Sequence, residues 1–509
     1  MRPTILYLLI SLSLLACDQT TNIIDEAPEA SLLPHPKTIQ LMGQGLALSS
    51  TSKLYAAKPE LAPLLELFSS EVERVAGVRI KTTQTAGTEA DIVFDINPDL
   101  SKEAYQLTID QRIQLSGGSY EALAMAKTTL LQLAHKQGDQ LVFPRCTIQD
   151  EPDATYRGLM IDLARKWHSA ESVKQLIDLA AFYKIKFLHL HFTDHQSFTF
   201  PSKSYPRLAT AQRHYTKEEL TEMEAYSQVR GVTIIPELEV PGHAEQFVKQ
   251  YPEIFAIEDT ATNSYIINMG NEAAYEAIDN IVGEMAEIFQ ASPYFHMGGD
   301  EAYFEKVMED PQVQTYIEKH QIGEDVHELY RHFLVRMNEI VKKYNKQMCV
   351  WEGFGPEGEI AIPKDIIVFE FETNRYLPNL LVEDGYTVVN TSWQPLYVVN
   401  KRKWSPTTIY DWNMWRWENW WDQAPSFTPI QVEKTPLIIG AQMCAWEQPE
   451  ESELPSLRRR VPAFVERIWN LDQQLPHEHL LHLIEQTDQR LSRLIGDDRQ
   501  DQDSKENGA

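Results

Sequence analysis

The sequence predicts an α/β fold: a (β/α)8 TIM barrel that follows a small α+β domain. From residue 151 onward, short apolar runs alternate with amphipathic helical stretches, which is typical of parallel strands joined by helical crossovers. Acidic, histidine and tryptophan residues follow the carboxyl ends of most of these runs, where barrel enzymes carry their functional groups. The 509 residues are enough for a barrel and an accessory domain.

The first residues predict a targeting segment. A single positive charge precedes the apolar run 4–15, which is too short to cross a bilayer comfortably. Leu14-Leu15-Ala16-Cys17 is similar to a bacterial lipobox, so we expect residues 1–17 to be a lipoprotein signal peptide with its lipid anchor on Cys17. An ordinary signal peptide that ends near a cysteine is the alternative. We expect a bacterial lipoprotein in the periplasm or on the cell surface, bound to the membrane through its lipid only, with residues 18–31 as a flexible spacer.

Residues 32–150 predict the α+β domain, because they mix short apolar runs with one helical period and contain no catalytic-looking group. Its predicted strands and helix are residues 92–94, residues 105–109 and residues 120–135. The turn-forming residues Asp150-Glu151-Pro152 mark the end of this domain, and residues 151–475 are assigned to the barrel.

Eight apolar runs predict the barrel strands, and the helices fit between them. The predicted strands are 157–164, 186–193, 232–239, 294–299, 347–352, 366–371, 387–392 and 437–446. The predicted helices are 169–184, 216–230, 272–289, 326–344 and, closing the barrel, 457–470. Residues 476–509 predict a C-terminal helix and a polar, disordered tail.

The composition is that of an acidic globular protein. The chain has 74 acidic and 46 basic residues and a net charge of −28, which argues against nucleic acid as a partner. After Cys17 the cysteines are Cys146, Cys349 and Cys444, an odd number that does not suit a disulfide framework. No group of cysteines or histidines has metal-ligand spacing, so we expect neither a metal site nor a cofactor.

The most informative stretch is the end of the fourth predicted strand, where two glycines precede Asp300 and Glu301. Adjacent carboxylates repel, so one can keep a proton near neutral pH while the other stays ionised. Such a pair suits the cleavage of a glycosidic bond, which needs a proton donor and negative charge. An isolated Asp-Glu pair is more often part of an acidic loop. The residues at the other strand ends therefore decide between an acidic loop and a glycosidase site. These strand ends carry Asp162, Arg165, His191, Asp194, Glu237, Glu239, His243, Trp351, Glu352, Trp393, Tyr397, Trp446 and Glu447.

Four stretches of the chain resemble, in the expected order, the motifs of family 20 glycoside hydrolases, the β-N-acetylhexosaminidases. They are Asp162-Leu163-Ala164-Arg165, the stretch from His189 to Gln196, the stretch from Pro236 to His243, and the stretch from His296 to Glu301. The resemblance covers about residues 32 to 470. It implies an exo-acting enzyme that hydrolyses terminal N-acetylglucosamine or N-acetylgalactosamine from a glycan. It also implies substrate-assisted retaining catalysis through an oxazolinium ion.

By this resemblance Glu301 is the general acid and then the general base, while Asp300 orients the acetamido group that attacks the anomeric carbon. Asp194 and His243 would support Glu301. Arg165 would bind ring hydroxyls and Tyr397 the acetamido oxygen. Trp351 and Trp446 would line the pocket.

Three positions depart from the family pattern, and they concern the terminal sugar. Phe371 stands where a tryptophan is usual, Val399 where an acid is frequent, and Gln448 where an acid is usual, with Glu447 one place earlier. Phe371 and Gln448 remain predicted substrate contacts. The departures leave open an enzyme specialised for 6-modified or β-1,6-linked N-acetylglucosamine, and a weaker likeness to dispersin-type enzymes points to the same linkage.

Two other functions are compatible with the sequence. One is a non-catalytic, sugar-binding surface lipoprotein, and the other is a barrel glycosidase with two separated carboxylates. The insertion 404–421 carries six tryptophans after the basic residues 401–403, so it predicts either an aromatic platform at the mouth of the site or a loop packed on the barrel. The six are Trp404, Trp412, Trp415, Trp417, Trp420 and Trp421.

Overall fold

The computed structural model describes residues 22–83, 90–260, 263–400 and 402–497. The predicted signal peptide with Cys17, and the polar tail from residue 498 onward, lie outside the described residues.

The N-terminal domain is a nine-stranded mixed sheet with two helices packed on it. Its strands are β1 Ile23–Ile24, β2 Thr38–Leu48, β3 Lys53–Ala56, β4 Lys81–Thr82, β5 Ile92–Ile96, β6 Tyr105–Ile109, β7 Ile113–Gly117, β8 His135–Gln137 and β9 Gln140–Asp150. The helices are α1 Ala62–Ala76 and α2 Tyr120–Gln132. Side chains of β6 and β7 alternate between buried and half-buried, because only one face of the sheet is covered by the helices.

Two details of this domain differ from the sequence prediction. Residues 23 and 24 of the predicted spacer form β1, which pairs with β2. The side chain of Ile24 packs against Gly45, where a Cβ atom would lie only 2.6 Å from it. The predicted helix 120–135 is shorter than expected, and residues 135–137 instead form β8, which pairs with β9.

The second domain is a closed barrel of eight parallel strands, as the sequence predicts. The strands are β10 Tyr156–Asp162, β11 Phe187–His191, β12 Thr233–Glu237, β13 Tyr294–His296, β14 Gln347–Trp351, β15 Ile367–Glu370, β16 Thr387–Asn390 and, last in the barrel, β20 Ile438–Trp446. β20 pairs with β16 on one side and with β10 on the other, which closes the barrel. Nearly all residues of these strands are buried, as expected for strands that face a core and a helical layer.

The remaining helices pack around the barrel or lie in the segments that follow its strands. They are α3 Ala170–Phe182, α4 Lys217–Val229, α5 Glu245–Gln250, α6 Pro252–Phe255, α7 Glu272–Ile288, α8 Pro311–His320, α9 Val326–Lys343, α10 Pro378–Glu383, α11 Trp393–Leu396, α12 Pro406–Asp411, α13 Glu450–Leu457, α14 Arg460–Trp469 and α15 His477–Ile495. The crossover helices begin where their sequences supply caps. Thr216 forms a reciprocal capping box with Glu219 before α4, and Ser169 caps α3. In the described part of the chain, no helix combines the length and apolar content of a membrane span.

The segment between β16 and β20 contains more structure than the sequence predicts. Besides α12, it forms β17 Tyr397–Val399, which pairs with β20, and the small hairpin of β18 Arg416–Trp417 and β19 Ile430–Gln431. These elements are two to six residues long, which is too short for a recognisable period.

Candidate active site

The acid pair lies on a glycine turn at the carboxyl end of β13. Gly298 and Gly299 have φ angles of 66° and 100°, which side chains rarely adopt. A Cβ atom on Gly298 would lie 2.0 Å from the carboxyl group of Glu239, and the amide of Gly299 donates to Glu239 Oε1 at 2.9 Å. The two glycines therefore let the chain pass over Glu239 and present Asp300 and Glu301 to the pocket.

The two acids have different surroundings. Burial raises the pKa of Asp300 to about 6, and its Oδ1 is buried without a hydrogen-bond partner among the described residues. The Glu301 side chain is 38% exposed, and its hydrogen bond with His243 lowers its pKa. At a pH low enough for the pair to hold one proton, that proton is therefore on Asp300 rather than on Glu301.

Glu301 is joined to Asp194 through His243, as the resemblance implies. His243 Nε2 lies 3.3 Å from Glu301 Oε2, and its Nδ1 lies 3.2 Å from Asp194 Oδ1. Burial alone would lower the pKa of His243, but its hydrogen bonds with these two acids raise that pKa to about 9. His243 is thus an imidazolium that bridges two carboxylates.

Arg165 holds the other side of Asp194. Its guanidinium lies 2.7 Å from Asp194 Oδ2 and 3.4 Å from Asp162 Oδ2, and it stacks 4.8 Å from the ring centroid of Trp446. Its side chain is 15% exposed, so the guanidinium is fixed at the edge of the pocket before any sugar binds.

The predicted aromatic residues form one wall. Tyr397 is nearly parallel to Phe371, with ring centroids 6.4 Å apart, and it lies 6.2 Å from Trp446. Burial, followed by nearby charges that include Asp300, raises the pKa of Tyr397 well above its usual value, so its hydroxyl is a donor. Trp351 is only 1% exposed and packs behind this wall.

Gln448 is buried beside the strand that carries Tyr397. It is 1% exposed, its amide donates to the carbonyl of Val398 at 2.9 Å, and its Oε1 is buried without a partner among the described residues. Gln448 therefore supports the strand that carries Tyr397, and only its Oε1 is available for another contact.

The tryptophan-rich insertion is divided between core and surface, so each of the two alternatives holds for part of it. Trp412, Trp415 and Trp417 are buried, and the indole of Trp417 donates to the carbonyl of Glu370. Trp420 and Trp421 instead line an open groove of about 530 Å³, together with Trp393, Glu372 and Asp422.

Three residues near the acid pair were not predicted from the sequence. The Tyr265 hydroxyl lies 2.6 Å from His243 Nδ1, and it comes from a loop without any periodic signal. After the hydrogen bond of His243, the charge of Arg375 also lowers the pKa of Glu301. Burial, followed by the charge of Glu301, raises the pKa of Glu372. Arg375 and Glu372 both follow β15, so a closer reading of that strand end could have found them.

Three buried groups, His189, Glu237 and His296, bring one potential metal ligand atom each within 4.8 Å of one another. Hydrogen bonds occupy part of this group, while the Nε2 atoms of His189 and His296 are buried without a hydrogen-bond partner among the described residues. Glu237 accepts from the Trp351 indole at 2.6 Å, and His296 Nδ1 accepts from the amide of Gly298 at 3.1 Å. The arrangement positions side chains around the base of the pocket.

Comparisons with known proteins agree with this geometry. Residues 155–472 match the family model described as "Glycosyl hydrolase family 20, catalytic domain", and residues 29–151 match "Glycosyl hydrolase family 20, domain 2". The chain belongs to glycoside hydrolase family 20. It is therefore a glycoside hydrolase of the β-hexosaminidase class, and the reading as a non-catalytic sugar-binding lipoprotein has no support.

Relatives of this family 20 enzyme are distant but cover most of the chain. The β-hexosaminidase of Vibrio furnissii is 28% identical over 459 residues, which are 83% of this chain and 73% of that protein. The β subunit of rat β-hexosaminidase is 23% identical over 477 residues, 87% of this chain and 86% of that protein. A solved family 20 exo-β-N-acetylglucosaminidase from Vibrio harveyi, in complex with N-acetylglucosamine, superimposes with a TM-score of 0.78 at 25% identity, covering 92% and 78% of the two chains.

Proposed function

We propose that the enzyme removes terminal N-acetylhexosamine residues from a glycan by substrate-assisted catalysis with retention of configuration. The acetamido oxygen of the sugar attacks the anomeric carbon and gives an oxazolinium intermediate, which water then opens. The observation that carries this proposal is the unequal pair: a buried Asp300 with an unpartnered oxygen beside a half-exposed Glu301 that is held by His243.

Glu301 has the position of the proton-transfer group. It reaches the pocket, while His243 and Asp194 fix its carboxyl group from behind. Glu301 protonates the leaving oxygen and later takes a proton from the attacking water. The positive charge on His243 stabilises the carboxylate that the first step produces.

Asp300 has the position of the orienting group. Its unpartnered Oδ1 can accept the N–H of the acetamido group, and that hydrogen bond favours the ionised carboxylate. Substrate binding then moves the proton of the pair from Asp300 to Glu301, where the reaction needs it. The Asp300 carboxylate also stabilises the positive charge of the oxazolinium ion.

The remaining contacts of the sugar follow from the pocket wall. Tyr397 donates its hydroxyl to the acetamido oxygen, Trp446 covers one face of the ring, and Arg165 binds a ring hydroxyl. The groove of Trp393, Trp420 and Trp421 opens beside this wall and accepts the leaving part of the glycan, which supports cleavage at a chain end.

The proposed location follows the sequence. Acylation of Cys17 would anchor the exported enzyme to a bacterial membrane and leave the two domains outside the lipid. Replacing Cys17 with serine should move the protein from the membrane fraction to the soluble one, while a serine in place of the buried Cys146 should not.

The first test of the function uses variants of the pair on nitrophenyl N-acetylglucosaminide. Glu301→Gln should lower kcat by about 10²- to 10⁴-fold, because proton transfer by a positioned side chain contributes that much. Asp300→Asn should also lower kcat, because the amide cannot stabilise the developing positive charge. The exposed Glu305→Gln, four residues further on, is the matched control and should keep full activity. Full activity of Glu301→Gln would refute the proposal.

A second test separates this mechanism from one with two protein carboxylates. An N-acetylglucosamine thiazoline resembles the bound oxazolinium ion, so it should inhibit competitively and protect the enzyme against unfolding. A fluorosugar that traps a glycosyl-enzyme should leave the protein mass unchanged. A covalent adduct on any carboxylate would contradict substrate assistance.

A further inference from the structure

Glu237 lies at the base of the active site and has an unusual number of partners. It is the last residue of β12 and is fully buried. Its Oε1 accepts the indole N–H of Trp351 at 2.6 Å, and its Oε2 lies 3.1 Å from His189 Nε2. Its Oε2 also accepts a hydrogen bond from His191 Nδ1. His296 Nδ1 lies 3.0 Å from Oε1 but accepts from the amide of Gly298, so it does not donate to Glu237. A buried carboxylate is stable only with such compensation.

His191 connects this carboxylate to Asp194. Its Nδ1 contacts Glu237 Oε2, and its Nε2 lies 3.0 Å from Asp194 Oδ2. An ionised carboxylate only accepts hydrogen bonds, so His191 must donate from both nitrogens and carry a positive charge. Burial opposes that charge, but the two acids overcome it and raise the pKa of His191 to about 10.

Carboxylates and imidazoles therefore alternate along one buried path. The path is Glu237, His191, Asp194, His243 and Glu301. The structure assigns Glu237 and His191 as positioning residues that hold the proton-transfer group Glu301 through this path. Each charge on the path is compensated by its neighbours. Removing the charge of Glu237 therefore weakens the hydrogen bond between His191 and Asp194, and then the bonds that lead to Glu301.

Glu237 also fixes the sugar-binding wall. The Trp351 ring, held by its hydrogen bond to Glu237, lies 5.8 Å from Trp446 and 5.9 Å from Phe371. One carboxylate thus positions both the wall that covers the sugar and the path that ends at Glu301. Loss of Glu237 should therefore change substrate binding and proton transfer together.

The charge of Glu237 has a separate, directional effect on the acid pair. Burial is the main cause of the raised pKa of Asp300, and the negative charge of Glu237 raises that pKa further. Burial raises the pKa of Glu237, and the charges of His191, His296 and His189 lower it. Glu239 lies within 4.8 Å of Glu237, and its own pKa is raised by burial and by the charges of Asp300 and Glu237. A neutral residue at 237 removes negative charge from the site, so the proton of the Asp300 and Glu301 pair is lost at a lower pH.

The test is Glu237→Gln in the full-length enzyme. We expect kcat to fall by about 10- to 100-fold, the cost of one buried hydrogen bond to a charged group. We also expect KM to rise and the alkaline limb of kcat/KM to move to lower pH. The matched control is Glu328→Gln, a buried glutamate outside the site that accepts two backbone amides. It should keep the pH profile and KM whatever its effect on stability.

Two further variants separate the two effects of Glu237, the binding branch through Trp351 and the proton-transfer branch through His243. Trp351→Phe keeps a ring but loses the N–H, so KM should rise while the alkaline limb stays in place. His243→Gln cuts the path, so adding Glu237→Gln to it should change kcat much less than Glu237→Gln does alone. Additive effects would show that Glu237 does not act through His243 and would overturn the inference.

This inference rests on the proposed role of Glu301, and the experiments distinguish the two. If Glu301→Gln abolishes turnover while Glu237→Gln lowers only the melting temperature, the positioning role fails and the proposed function stands. If Glu301→Gln keeps turnover, the proposed function itself fails. If Glu237→Gln does not fold, Trp351→Phe still tests the binding branch through its KM and its pH profile.

Discussion

At the scale of single residues, the neighbours of each acid assign its role. Asp300 and Glu301 are adjacent in sequence, yet burial raises the pKa of Asp300 and His243 lowers the pKa of Glu301. When the pair holds one proton, Asp300 carries it, and an acetamido N–H on Asp300 can move that proton to Glu301. The same two residues on a solvated loop would both be ionised at neutral pH.

This shared proton predicts the pH dependence of the reaction. The free enzyme is competent while the pair keeps one proton, and the pair loses it as pH rises through the Asp300 pKa of about 6. We therefore expect kcat/KM to fall with rising pH above about 6, measured on a nitrophenyl substrate at constant ionic strength. A kcat/KM that stays constant up to pH 8 would contradict a shared proton with this pKa.

The residues of the acid path could be predicted, but their partners could not. Asp300, Glu301, Asp194, His243 and Arg165 lie in motifs at strand ends, where the barrel topology brings them together. The sequence gives no sign of Tyr265 beside His243, because that contact depends on the shape of a long loop. It also cannot show that Gln448 is buried and bonded to the carbonyl of Val398, since burial at a strand end depends on tertiary packing.

At the scale of elements, the turn after β13 is the most constrained. Gly298 combines a positive φ with the carboxyl group of Glu239 at the place where a Cβ would lie. A side chain here must displace Glu239, and with it the amide of Gly299 that Glu239 holds. The orientation of the acid pair depends on that contact.

Gly298→Ala should therefore cost both stability and activity. The backbone strain alone costs on the order of 1 kcal/mol, and the clash with Glu239 adds to it. Gly385→Ala is the matched control, because Gly385 also has a positive φ, 83°, but no atom lies within 4 Å of its missing Cβ. We expect Gly298→Ala to lower the urea midpoint more than Gly385→Ala and to be the variant that loses activity. Equal losses in both would show that the clash is unimportant.

The groove predicts a dependence on the leaving group. Trp420 stacks on Trp393 with ring centroids 4.9 Å apart and is open to the groove, whereas Trp412, Trp415 and Trp417 are in the core. Trp420→Ala should reduce kcat/KM several-fold on a disaccharide substrate, because an aromatic contact contributes about 0.5–1.5 kcal/mol. Its effect on a methyl glycoside, which leaves the groove empty, should be smaller. An equal effect on both substrates would place Trp420 in the wall of the terminal sugar.

The sequence predicted the elements of the barrel better than the insertion. The apolar runs of the barrel strands and the amphipathic helices between them identify these elements, and all eight strands of the barrel were predicted. The insertion carries six tryptophans in a short segment, and sequence alone does not tell a buried indole from an exposed one. Its structure shows that the indoles of Trp412 and Trp417 donate to backbone carbonyls in the core, which fixes the loop that presents Trp420.

At the scale of the whole molecule, buried charges join the two domains. Asp150, the last residue of β9, accepts from the hydroxyl of Tyr105 at 2.6 Å and from the indole of Trp469 at 2.9 Å. Lys184, on the barrel, lies 3.5 Å from the same carboxyl group and is 3% exposed. The N-terminal domain is thus held to the barrel by buried charged groups. Removing one of them leaves the other buried without its partner, which lowers the free energy of unfolding.

Asp150→Ala should destabilise the protein by about 3–5 kcal/mol, because it leaves the buried Lys184 without its acid. Denaturation in urea, followed by circular dichroism, should show a lower midpoint for this variant. Asp139→Ala, at an exposed position of the same sheet, should not change the midpoint. A normal midpoint for Asp150→Ala would mean that the interface does not depend on this carboxylate.

The central claim is that the substrate provides the nucleophile and Asp300 and Glu301 serve it. The most direct measurement is kcat/KM for nitrophenyl glycosides whose N-acetyl group carries zero, one, two or three fluorine atoms. Fluorine withdraws electrons from the carbonyl oxygen, so substrate assistance predicts that kcat/KM falls with each added fluorine while the leaving group stays the same. Rates that do not change across the series would mean that a carboxylate of the protein attacks the sugar, and would contradict the account.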